Sequence, residues 1–251
     1  MDGMCANAEC FHSQLEGRLA ATRPERSVEV INGSNGAYSF YHYLGVLERM
    51  LDLGIRPDLF VMVAYGGNDF LGVFLWHFFH ATLRPMNSKV DLARRDATAK
   101  EHPQALGQAL NAADYFRRGG PQEVKAALRM AREVTREVQR LCAEEGIELL
   151  VIYLPSPTEM PEHADQENLR AGAEIMQLTD EDLDLLGTMA DRYLEDVAAL
   201  GVSTIDLRPS FRSLQGQLYW IRDLHLNLAG HRAAADVSAP WIEARWDAWN
   251  E

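Results

Sequence analysis

Cysteine is scarce in this sequence: Cys5, Cys10 and Cys142 are the only three in 251 residues. An odd, sparse count does not make a disulfide framework. Cys5 and Cys10 lack zinc-site spacing and no Cys-x-x-Cys pair occurs, which argues against a structural zinc site. Long apolar runs are also missing. The longest, Phe70 to Phe79, is interrupted by Gly72 and His77, and falls well short of the roughly 18 residues that cross a bilayer. Positive charge is in short supply: 24 Lys and Arg face 37 Asp and Glu, a net charge of −13. An acidic surface repels phosphate backbones, so no nucleic-acid partner is expected. No basic region followed by an apolar core opens the chain. A cytoplasmic location is therefore expected, unless an export signal lies upstream of Met1. Internal repeats and low-complexity tracts are absent.

What is present suits one large α/β domain. Hydrophobic residues make up 47% of the chain, enough for a substantial core. Cys10 to Ala21 reads as a helix with Phe11, Leu15 and Leu19 a turn apart. Ser27–Ile31 alternates and reads as a short strand, followed by the tight loop Asn32-Gly-Ser-Asn-Gly36. A helix is expected from Ala37 to about Leu53, closed by Gly54. Asp58 to Ala64 is a nearly continuous apolar run, the mark of a parallel strand buried on both faces. It ends in Tyr65-Gly66-Gly67-Asn68-Asp69, and a helix from about Phe70 follows. Residues 81–120 are polar and irregular with some helix, and read as an insertion over one end of the sheet. Pro121 opens a long helix that ends at Gly146. Ile147 to Leu154 reads as a second buried strand, closed by Pro155-Ser-Pro157. A helix from about Asp180 to Leu200 and a strand from Val202 to Leu207 follow, and Pro240 restarts the chain near Trp241. Strands alternating with helices imply a parallel sheet covered on both faces, and such sheets bind ligands at the carboxyl ends of their strands.

Three stretches fall at those ends: the loop after Ile31, the loop after Ala64, and Asp223-Leu-His225-Leu-Asn227-Leu-Ala-Gly230-His231. In an extended segment residues i and i+2 point the same way. Asp223 is then placed to hold the Nδ1 proton of His225, leaving Nε2 as a general base. The plain alternative is that Asp223 and Asn227 are capping residues at a helix start.

In this order and these strand contexts, Gly66-Gly67-Asn68-Asp69 and Asp223-x-His225-x-Asn227 resemble the blocks of the SGNH (GDSL-type) hydrolases. Asn32-Gly-Ser-Asn-Gly36-Ala-Tyr resembles the second block of that family, and the Phe11-His-Ser-Gln-Leu15-Glu helix resembles the segment before it. The resemblance implies a flavodoxin-like three-layer α/β/α sandwich of about five parallel strands and serine-type ester chemistry without metal or cofactor. The substrate would be a small-molecule or carbohydrate acyl ester, such as an O-acetyl or short-chain ester. By position, His225 is the general base, Asp223 its orienting acid and Asn68 an oxyanion donor through its side-chain amide. Gly67 belongs to the same block, and a backbone N–H at Gly33 or Ser34 is a second donor. The Asp-x-His spacing resembles acetyltransferase-like members that handle polysaccharides, so transfer to a sugar hydroxyl is a close variant.

The sequence departs from the family at its nucleophile, a serine in a Gly-Asp-Ser block ending the first strand. No Gly-Asp-Ser occurs here. Three readings stand: the block lies upstream of Met1, the chain is a non-catalytic binding module, or another residue attacks, with Ser34 and Cys5 the candidates. Ser34 also reads as an ordinary loop serine and Cys5 as a terminal thiol. Among other features, His77 and His80 sit three apart and read as core or rim residues rather than metal ligands. Arg94-Arg95 and Arg117-Arg118 read as solvated, and His231 as packing. Tyr38, Phe40, Tyr41 and Tyr43 read mostly as core, with an acyl or sugar pocket as the alternative.

Overall fold

The computed structural model describes residues 6–82, 108–221 and 225–246. Helices α1 (Phe11–Thr22) and α2 (Phe40–Asp52) precede strand β1 (Leu59–Tyr65) and helix α3 (Asp69–Thr82). Helices α4 (Gln108–Gly119) and α5 (Pro121–Glu145) lead to β2 (Glu148–Leu154). Helices α6 (Gln166–Met176) and α7 (Asp180–Ala199) lead to β3 (Ser203–Asp206), and α8 (Leu207–Arg212) and α9 (Leu228–Arg245) close the fold. The three strands are parallel in the order β1-β2-β3. Leu59 to Tyr65 pair with Glu148 to Leu154, and Leu150 to Tyr153 pair with Ser203 to Asp206.

Two cores flank this sheet and make it the middle of three layers. Leu149, Val151 and Tyr153 of β2 face a core built with α2, α3, α4, α5 and α7. Leu150 and Ile152 face a second core built with α1, α8 and α9. Burial on both faces explains the unbroken apolar run of β2. Local chemistry sets the longest helix: Pro121 occupies the first turn of α5, where its missing N–H costs nothing. Gly146 stops the helix at φ 73°, in the left-handed region that favours glycine.

β1 is different. Its Phe60, Met62 and Ala64 are buried in the first core, whereas Leu59, Val61 and Val63 are only half-buried on the second. The Glu148 N–H donates to the Asp58 carbonyl and the Gly66 N–H to the Leu154 carbonyl. In a parallel ladder the even positions 58 to 66 therefore turn toward β2, and the odd positions toward the open edge. At the end of that edge the Tyr65 N–H donates to the Asp69 carboxylate at 2.9 Å.

Several expectations change. Ser27–Ile31 is irregular and is not a strand. Val28 packs on the second core and the Val30 N–H donates to Glu16 at 2.7 Å. Its alternation satisfied the local requirement for a strand, but a ladder also needs a neighbour, and none of the described strands pairs with it. The sheet has three strands among the described residues, not about five. Of the segment expected as an insertion, residues 83–107 lie outside the described residues. Residues 108–119 form α4, with Ala109, Ala112, Ala113, Tyr115 and Phe116 in the first core. Helices α6 and α8 were not expected, and Pro240 lies inside α9 rather than restarting the chain. Cys142 is a free, buried thiol, Cys10 is disulfide-bonded, and Cys5 lies outside the described residues.

The first core contains an acid. Asp69 is buried, and its carboxylate accepts the Tyr43 hydroxyl at 2.6 Å as well as the Tyr65 N–H. Phe40 packs beside it, its ring centroid 5.8 Å from Phe70 and 5.2 Å from Tyr193. Burial pushes the Asp69 carboxyl up from 3.8 to about 7, against the pull of its two hydrogen bonds. The folded state thus holds a proton there that the unfolded chain loses near pH 4. Stability from Asp69 is full below that pH and is lost as pH rises toward 7, at about 1.4 kcal/mol for each unit separating the two pKa values. Urea midpoints of the parent should fall across this window, and the Asp69→Asn variant should lack that component of the slope. Phe40→Ala, which opens a cavity at a fully buried ring, should cost about 3–5 kcal/mol by the same assay.

Candidate active site

The carboxyl ends of β1 and β2 meet at Gly66. A Cβ there would fall onto the Tyr153 hydroxyl and the Glu159 carboxylate, so only glycine lets the loop after β1 lie this close to the end of β2. A Cβ at Gly67 would run into the Tyr65 ring. The loop delivers Asn68 half-buried at the start of α3. Its carbonyl accepts the Gly72 N–H at 2.7 Å. Its side-chain amide makes no hydrogen bond among the described residues, in contrast to neighbouring Asp69, whose Oδ2 accepts two. This is the arrangement an oxyanion donor needs, an amide held by its backbone with its N–H groups uncommitted.

Glu159 forms the floor behind this loop. It accepts the Ser156 N–H at 2.8 Å, the Ser156 hydroxyl at 2.9 Å and the Tyr153 hydroxyl at 3.0 Å. Burial raises its carboxyl above the usual range against those bonds. Arg208 lies 3.9 Å away, itself held by Asp206 and Asp191 at 2.8 Å and stacked 5.1 Å over the Tyr153 ring. Ser156 is fully buried with its hydroxyl spent on Glu159 and Thr158. It is a structural serine. Sequence reasoning missed this cluster, although an acid three residues after Ser156 at the end of a buried strand was a usable sign.

His225 arrives on a strap tied to the same end of the sheet. Tyr219 and Leu226 form an antiparallel bridge, and the Trp220 N–H donates to the His225 carbonyl at 2.8 Å. The Tyr219 hydroxyl donates to the Pro155 carbonyl at 2.9 Å, just beyond β2. From below, the Leu218 N–H donates to the His163 carbonyl at 2.9 Å, and the His163 ring donates from Nδ1 to the Gly216 carbonyl at 2.8 Å. Asn227 caps α9 by accepting the Gly230 N–H at 3.0 Å. A Cβ at Gly230 would strike the Leu218 carbonyl. His225 is half-buried. Asp223 lies outside the described residues.

His231 packs where α9 meets α1, with Nδ1 accepting the Phe11 N–H at 3.2 Å. Burial, then the neighbouring His12 and His225, hold its pKa below the ordinary imidazole value. The neutral ring therefore carries its proton on Nε2.

The loop 32–36 precedes α2. Ser39, which opens α2, packs onto Gly72 of α3, and Gly33 packs onto Val46. Ser34 is exposed, and both its N–H and its hydroxyl are committed to the Asn32 side-chain carbonyl, at 3.0 and 2.6 Å. Asn68 and Gly67 follow the carboxyl end of β1, and the strap bearing His225 is tied just beyond the end of β2. The structure gives Ser34 a local partner rather than a histidine.

Comparison with known proteins agrees with this architecture. The chain aligns over residues 114–250, more than half its length, with the family described as "SGNH hydrolase-like domain, acetyltransferase AlgX". Among solved structures, an acetyl xylan esterase, AlAXEase, superimposes with a TM-score of 0.52 at 15% identity. The match covers 94% of this chain and 92% of that one, and at this identity it speaks for the fold. No curated protein matches the sequence. With its three-layer α/β/α architecture and this match, the chain belongs to the SGNH hydrolase-like family.

Proposed function

We propose that this chain cleaves a small acyl ester, an O-acetyl or short-chain ester, through an acyl-enzyme. The observation that carries the reading is Asn68: a half-buried amide free of partners among the described residues, at the carboxyl end of β1, in a loop whose glycines press it against the end of β2. A serine hydroxyl adds to the ester carbonyl and His225 takes its proton. The carbonyl oxygen becomes an oxyanion held by the Asn68 amide and by backbone N–H groups at Gly67 and Gly33. Asp223 orients His225. The tetrahedral intermediate expels the alcohol, which leaves with the proton from His225. Water, activated by the same base, then releases the acid. No metal or cofactor enters these steps.

The nucleophile comes from one of two places. Ser34 is the serine nearest in role, but its hydroxyl is committed to Asn32. The open edge of β1 supports the other source, a serine carried on a further parallel strand, because such a strand ends level with Asn68. A second reading, transfer of the acyl group to a sugar hydroxyl in place of water, is favoured by the family's description as an acetyltransferase.

Fluorophosphonate labelling read by intact mass tests the proposal. A single adduct on the parent that disappears in His225→Ala is the expected result, and peptide mapping then names the serine. Against p-nitrophenyl acetate, Asn68→Ala should lower kcat by about 10²–10³ with little change in KM, as expected for a donor that acts on developing charge. A folded chain that gives neither adduct nor turnover would overturn the enzyme reading in favour of a binding module.

A further inference from the structure

Helices α2 and α3 begin at the two loops of the proposed site and share an outer surface of rings. Tyr38 stacks on His42, centroids 4.7 Å apart and planes 8° from parallel. His42 meets Trp76 edge-on at 5.3 Å, and Trp76 stacks on His80 at 5.6 Å and abuts Phe79 at 6.1 Å. Tyr41 and His77 run beside them, joined by a hydrogen bond of 3.0 Å. Trp76 and Phe79 are each 40% exposed, although large apolar rings ordinarily turn inward when they can. Buried residues on both helices already fill the first core, so the fold does not require these outer rings. Their energetic cost in water is unexplained by packing.

Charge narrows the occupant. From Phe40 to Leu47 on α2 there is no Asp, Glu, Lys or Arg. From Asp69 to Thr82 on α3 the only such residue is Asp69, which is buried in the core. The chain as a whole carries −13. An anionic membrane or a nucleic acid would seek a cluster of basic residues; among the described residues the rings themselves are interleaved with no Lys or Arg, and exposed Arg49, farther along α2, is offset by its neighbour Glu48. What remains is a ligand with flat apolar faces and uncharged hydrogen-bonding groups around its rim. A neutral pyranose ring has that chemistry: its C–H faces stack on indole and phenyl rings, and its hydroxyls meet imidazole nitrogens.

We infer that Tyr38, His42, Trp76, Phe79 and His80 form a platform for a neutral pyranosyl chain, whose acylated unit lies at the proposed site. This inference rests on the ester-cleaving reading for what the site does to the sugar, but not for the binding itself. Tyr38 lies two residues after the Asn32–Gly36 loop ends. Trp76 stands seven residues along α3 from Asp69, about 10 Å at the rise of an α-helix, so a chain stacked on the platform extends from the site rather than occupying a separate surface.

Isothermal titration of the intact chain with xylohexaose, mannohexaose and cellohexaose, with hexagalacturonate as the charged control, tests the platform. At least one neutral hexasaccharide should bind at millimolar concentration or tighter. Trp76→Ala and Phe79→Ala should each weaken that binding by about tenfold or more, while both variants keep the parent's far-UV circular dichroism. Three results would each overturn the inference: no neutral hexasaccharide binds, only hexagalacturonate binds, or both variants bind as the parent does. So would a concentration-dependent dimer in sedimentation that Trp76→Ala dissolves, since the rings would then serve a second copy of the chain. Turnover of p-nitrophenyl acetate, which has no sugar, reports separately on the ester-cleaving reading. Binding without turnover counts against that reading alone, and turnover without sugar binding counts against the platform alone.

Discussion

The fold depends on β2 being buried on both faces and paired on both edges. Each face of this strand belongs to a different core, so neither helical layer has a sheet to close against without it. The strand also positions the site. Its last residues place Tyr153 under Gly66, and the Pro155 carbonyl just beyond it receives the Tyr219 hydroxyl that anchors the strap of His225. Loops from opposite halves of the sequence reach one end of the molecule because this strand carries contacts to both. A displacement of β2 would be transmitted to the Asn68 loop and the His225 strap together, since close-packed interiors pass strain on rather than absorb it.

Two acids lie against the loop that bears Asn68: Asp69 on one side and Glu159 behind Gly66. An ionised carboxylate next to a developing oxyanion opposes the charge the site is meant to hold, most strongly where water is excluded. Both groups are buried, and burial raises both carboxyls. For Asp69, held at about 7, a large fraction is uncharged at neutral pH. Both act as hydrogen-bond acceptors that shape backbone: Asp69 takes the Tyr65 N–H and Glu159 takes the Ser156 N–H. Asp69 therefore exerts less of the repulsion its formal charge would imply.

Much of this was legible wherever the cause was local. The limits of α5 follow from Pro121 and Gly146, β2 from its apolar run, and the start of α9 from Asn227. Gly66-Gly67-Asn68 links β1 to α3, where the sequence places it. Where the cause was distant, the sequence was silent or misleading. Ser27–Ile31 alternates like a strand, but pairing depends on a neighbour and not on alternation. Arg117 and Arg118 made α4 look like a solvated insertion, although Ala109, Ala112, Ala113 and Phe116 bury its other face. The Pro- and Glu-rich composition after Pro155 hid α6. Glu159 gave no sign of being buried, because the residues that enclose it, Gly66 and Arg208, are remote in sequence.

The open edge of β1 shows where the architecture is least complete among the described residues, and its geometry is specific. The odd positions Leu59, Val61 and Val63 turn their N–H and carbonyl groups outward, and their side chains are only half-covered by the second core. Natural sheets rarely leave such an edge long, flat and apolar. At Tyr65 the edge is closed off, because Asp69 has taken the N–H that a neighbouring strand would use. A parallel strand placed there would pair along Leu59 to Val63 and leave the sheet at the level of Tyr65. The carboxylate that terminates the edge thus also sets the height at which any adjoining strand would leave the sheet, and it links the edge left unpaired among the described residues to the chemistry proposed at its end.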